Sequence, residues 1–155
     1  DFSFCKFANE GEMVKLFMEE KYGDEVLYVI SCFEKSLPLA AAFPECIISH
    51  AEPLRAFSRQ EIIDGLKNGE TVKGLTWTEN NKAKAGGVEA MLCTLTGRKD
   101  FLNARYIAGH RPVKENYALR QNGFFVQIHN PDRQNIALVH ADRVFNPEKD
   151  IVCVE

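Results

Sequence analysis

Phe57-Ser58-Arg59-Gln60-Glu61-Ile62 is the clearest local instruction in the chain, and the reading of the fold turns on it. Ser58 has the short oxygen-bearing side chain of a helix N-cap, and Glu61, three residues on, completes a capping box. Phe57 and Ile62 hold the two positions of a hydrophobic staple, which sets the angle at which the chain enters a helix. Ile62, Ile63 and Leu66 then offer a buried stripe, and Asn68-Gly69 reads as the stop. Beyond residue 70 the apolar period changes to two. That alternation predicts strands at 71–78, 88–95, 101–107, 123–129, 136–140 and 150–154.

Toward the N-terminus, Asn9 and Glu12 form a second capping box, and Met13, Leu16 and Phe17 follow at helical spacing. Lys21-Tyr22-Gly23 closes that helix, which spans 9–22. Phe2, Phe4 and Phe7 open the chain as a short strand or a docked arm. Val26–Ile30 is an unbroken β-favouring run and reads as a central strand covered on both faces. Ser36–Pro44 is ambiguous between helix-favouring alanines and bracketing prolines, and Cys46–Ser49 reads as a second short strand. The fold class expected is α+β: two capped helices in the N-terminal half packed on a mostly antiparallel sheet or partial barrel formed largely by the C-terminal half.

The composition fits this reading. A chain of 155 residues with 45% hydrophobic residues and 16 aromatics suits one globular domain with a core of its own, and a shift near residue 70 would mark subdomains without a linker. The aromatic and aliphatic content excludes a wholly disordered chain. Val26–Phe33 and Ser36–Pro44, the most hydrophobic uncharged runs, are far too short to span a membrane. Cys5, Cys32, Cys46, Cys93 and Cys153 are odd in number, match no zinc-binding spacing and sit mostly in apolar company. They point to free core thiols in a reducing compartment, hence a cytoplasmic protein.

A net charge of −3 conceals a segregation. Residues 1–70 carry seven basic and thirteen acidic groups, residues 71–125 nine and four, and residues 126–155 three and five. The central excess is the sequence's main functional pointer, toward a nucleic acid or another polyanion such as an acidic protein: basic groups meet phosphate charge, and interleaved aromatic faces can stack single-stranded bases. The candidate binding residues are Lys73, Trp77, Lys82, Lys84, Arg98, Lys99, Arg105, Tyr106 and Arg111. Lys82-Ala83-Lys84-Ala85-Gly86-Gly87 would be a small, positive loop whose two glycines let its backbone amides approach a ligand closely. The plain alternative is that the basic segment answers the acidic one inside the molecule, with Trp77 a core aromatic.

Other chemistry is less marked. No phosphate-binding glycine loop, nucleophile elbow, zincin or calcium-loop motif occurs. The expectation is therefore a small non-catalytic binding protein that calls for no cofactor and no metal. If residues 123–129 and 136–140 pair as a hairpin, Phe125, Ile136 and Leu138 share one face, a second candidate surface for protein interaction or self-association. A cysteine or histidine hydrolase ranks third, with Cys32 or Cys46 as nucleophile and His50 or His110 as base. Cys46 and His50, four apart on one strand, would be separated by about 13 Å and could not meet unaided. The same hairpin would set His129 beside His140, a pair that could bind zinc or nickel if Asp132 or Asp142 joined it.

Overall fold

The computed structural model describes residues 9–97, 100–140 and 142–154. The N-terminal phenylalanine segment, Cys5, the Asn9 cap side chain, Arg98 and Lys99 lie outside what it describes. The chain divides into two compact units, residues 1–38 and residues 39–155.

The first unit is a pair of helices, α1 (Asn9–Tyr22) and α2 (Asp24–Ser36). The strand expected at 26–30 is therefore a correction: this apolar run is helical. Gly23, at φ 80°, makes the break that only glycine adopts freely. Asp24 and Glu25 then suit the positive end of a helix dipole and Lys35 its negative end. A short apolar run alone does not distinguish strand from buried helix, and here the charged ends decide it.

The second unit carries a five-stranded open sheet built from β1 (Ala40–Ala42), β2 (Cys46–Ser49), β3 (Arg105–Ala108), β4 (Ala118–Arg120) and β5 (Phe125–Gln127). Its order is β1-β2-β3-β5-β4, with parallel pairs in the middle and antiparallel pairs at both edges. The α+β class stands. The sheet is mixed and does not close into a barrel.

Between β2 and β3 the chain forms α3 (Arg59–Ile63), a 3-10 turn at Gly65–Lys67, α4 (Gly69–Thr76) and α5 (Gly87–Leu95). The Ser58 capping box is present: the Glu61 N–H donates to Ser58 Oγ at 3.2 Å and the Ser58 N–H to Glu61 Oε2 at 2.8 Å. The strands expected at 71–78 and 88–95 are helices instead. Asn68 does not end one helix but begins the next, its Oδ1 accepting the Glu70 N–H. Ile62 packs against the core, whereas Ile63 faces solvent.

These helices cover one face of the sheet, where Ile47, Tyr106, Ala108 and Phe125 meet Phe57, Leu75, Val88, Met91 and Leu92. On the other face Cys46, Ile107 and Val126 pack against Phe145 and Ile151. The latter two flank α6 (Pro147–Asp150), which leads into β7 (Ile151–Val154). The final hairpin differs from expectation, because β5 lies between β3 and β4 while β6 (Gln134–Ala137) pairs with β7. Among the described residues no helix is long and apolar enough to cross a membrane.

Candidate functional site

Because β2, β3 and β5 run parallel, their carboxyl ends open on one edge, the position where ligands bind in open α/β sheets. Each strand delivers a histidine there: His50 directly after β2, His110 two residues after β3 and His129 two residues after β5. The loops are tied together, with the Gly109 N–H donating to His50 O at 3.1 Å and the Val113 N–H to His129 O at 2.7 Å. His110 is held at φ 61°, a left-handed conformation that costs a non-glycine residue about 1 kcal/mol or more.

His50 Nε2 and His110 Nδ1 lie 3.1 Å apart, so one ring donates the proton that the other accepts. Protonating both would set two cations face to face. The His110 imidazole is lowered to about 4, by burial first and then by His50, Arg111 and His129. That of His50 is lowered chiefly by burial, with His129 adding to it. Both shifts favour the neutral imidazole. Within the described residues, His110 Nε2 and the neighbouring Arg111 Nε are buried without a hydrogen-bond partner.

Trp77 closes this edge from the helix side. The segment after His50 docks on the last turn of α4, with the Ala51 N–H donating to Leu75 O and the Leu54 N–H to Gly74 O. Gly74 permits the approach, since a Cβ there would come within 2.6 Å of the Phe57 ring. Trp77, at the end of α4, thereby meets His110 edge-on, with ring centroids 5.3 Å apart. It keeps 37% of its surface exposed. Lys73 precedes it by one helical turn and is exposed. Arg111 reaches toward Glu79 at 3.9 Å.

The loop that follows, which carries the exposed Lys82 and Lys84, is anchored by Arg120. Its guanidinium donates to Asn80 and Asn81, touches Gln127 Oε1 at 3.2 Å and pairs with the buried Glu52 at 3.2 Å. Gln127 in turn donates to Arg111 O at 2.7 Å, and Gln121 to Glu52 at 2.6 Å. Arg120 is thus a basic residue already committed inside the molecule. Beside the imidazoles, on the other side of the strand ends, a cavity of about 380 Å³ is walled by Ile48, Ile107, Ile128, His129, Asn130 and Arg133.

Of the nine basic and aromatic candidates, Lys73, Trp77 and Arg111 come to this edge, and Lys82 and Lys84 stand on the adjoining loop. Arg105 does not. It begins β3 at the opposite edge, roughly 16 Å along the strand direction from His110, and donates to Leu102 O and Ala104 O. Tyr106 is fully buried, its hydroxyl donating to Ser49 Oγ, so it offers no stacking face. Phe125 is likewise buried against Tyr106 and shares no exposed face with Ile136 and Leu138, which are each 43% exposed.

Cys46 lies in the core with its thiol pushed up to about 11 by burial, the opposite of an activated nucleophile. Cys32, Cys93 and Cys153 are free and exposed, so the core-thiol expectation holds for Cys46 alone among the described cysteines. His140 is not paired with His129. It stands 3.7 Å from Asp150, which Arg143 grips. Among the described residues no three histidine, cysteine or acidic side chains are placed to hold a metal ion.

Sequence reasoning had no means of joining His50, His110 and His129 into one site. A signal was nonetheless present: Ile47-Ile48-Ser49-His50, Ile107-Ala108-Gly109-His110 and Val126-Gln127-Ile128-His129 each end a short strand-like run in histidine. Comparison of the chain with known protein families, curated proteins and solved structures gives no match.

Proposed function

We propose that the protein binds single-stranded nucleic acid at the carboxyl edge of β2, β3 and β5, with Trp77 as the stacking face. The observation that carries this reading is the partly exposed Trp77 ring standing on a neutral imidazole, with Arg111 next to that imidazole and Lys73 one turn before the ring. A base stacked on an aromatic face contributes about 1–3 kcal/mol in any sequence. Lys73, Arg111, Lys82 and Lys84 would neutralise the phosphates on either side, while the mutually hydrogen-bonded His50 and His110 support the tryptophan. The geometry also argues against spreading the function over the whole basic segment, since Arg120 and Arg105 already have partners inside the molecule.

The test is fluorescence anisotropy of a labelled single-stranded oligonucleotide titrated at several salt concentrations. The slope of log K against log salt is expected near −3, at about −0.7 for each phosphate neutralised on a single strand. Lys82→Gln with Lys84→Gln should flatten it. No binding at low salt, or binding that salt leaves unchanged, would refute the proposal.

A further inference from the structure

The helical unit, taken by itself, carries a set of exposed apolar side chains. Among its described residues only Leu27 is fully buried. Met13, Leu16 and Phe17 recur at i, i+3 and i+4 along α1, and Val26, Val29 and Phe33 at i, i+3 and i+7 along α2. This is the spacing of a packed helix seam, yet Met13 is 69% exposed, Val29 64% and Phe33 63%. A pair of helices this short, closed on so little core, is below the size at which a unit stabilises itself unaided.

We propose that this surface is a homodimer interface, in which α1 and α2 of one copy pack on the same helices of a second copy to complete a four-helix bundle. The area fits. The six side chains leave roughly 530–700 Å² of apolar surface open per copy, taking about 150–200 Å² for each whole side chain. A standard interface buries about 800 Å² per partner, of which about 65% is apolar in homodimers, or some 500 Å². Two helices whose apolar stripes lie open can be completed by an identical pair, which is how an isologous contact forms.

The six seam side chains are themselves uncharged, and the Lys21 ammonium lies over the Phe17 ring, 5.4 Å from its centroid. Residues 9–36 as a whole carry seven acidic and three basic groups, so an anionic lipid surface is repelled. Two copies repel each other mildly as well. Salt should therefore tighten the dimer, whereas it would weaken the binding of a basic partner.

Sedimentation velocity of the full chain over a range of concentrations tests this. The expected result is a species at twice the 17.5-kDa chain mass, favoured by salt. Val29→Glu combined with Phe33→Glu should weaken it about tenfold or more. Phe33→Ala, a milder change, should weaken it in the same direction with the helical circular-dichroism signal kept. A wild-type chain that stays monomeric at high micromolar concentration would overturn the proposal. So would a dimer that these variants leave intact.

Discussion

The two ends of β3 carry an arginine and a histidine that look equally functional in the sequence, and the structure treats them in opposite ways. At the amino end, Arg105 donates from Nη1 to Leu102 O and Ala104 O, and its charge lies 5.9 Å from the Phe124 ring. At the carboxyl end, His110 is strained, has a buried ring nitrogen without a partner in the described residues, and supports a tryptophan that is one-third exposed. Positive charge is therefore a poor guide to the site. What separates the ends is whether polar groups are satisfied within the fold, as at Arg105, or buried without a partner among the described residues, as at His110 Nε2 and Arg111 Nε.

The most disruptive way to break the contrast is to remove the cation that is not part of the binding set. Arg120→Ala leaves Glu52 buried without its counter-ion and frees Asn80 and Asn81. It should cost about 3 kcal/mol of stability in urea unfolding. Trp77→Ala comes next, on binding rather than folding, with an expected loss of about 10- to 100-fold in oligonucleotide affinity. Arg111→Gln should weaken binding by a few fold and reduce the salt slope by about 0.7. Arg105→Gln, at the other end of the same strand, should leave affinity unchanged; a loss equal to that of Arg111→Gln would erase the distinction between the edges.

Protons sharpen the contrast further. The folded state lowers both imidazoles from 6.5, His110 to about 4, so between those values the unfolded chain holds more protons than the folded one. Stability should accordingly fall as pH drops from 6.5 toward 4, and the His110→Asn variant should lose part of that dependence. A bound phosphate acts in the opposite sense, because it favours the imidazolium. Affinity for the oligonucleotide should rise over the pH range in which stability declines.

Local chemistry made some of the fold legible. The Ser58 cap, the helix at 9–22 and the short strands near 46–49, 125–127 and 151–154 are all written in neighbouring residues. The errors came where one signal serves two structures. Asn68-Gly69 can stop a helix or start one, and Val88, Met91, Leu92 and Leu95 have helical spacing that the alternating reading overrode. Strand order was out of reach, since the parallel contacts of β2, β3 and β5 join residues up to about 60 positions apart. The site depends on that order. Trp77, Lys73 and Arg111 were identifiable by type, but only the parallel register brings His50 and His110 within 3.1 Å beneath the tryptophan.

Trp77 is the only tryptophan in the chain, which makes its emission a direct report on the carboxyl edge. Titration with a short single-stranded oligonucleotide at low salt should quench that emission saturably, with the same apparent affinity as anisotropy gives. Arg111→Gln should shift the curve and Arg105→Gln should not. Binding without any change in tryptophan emission would place the nucleic acid elsewhere and contradict the assignment of this edge as the site.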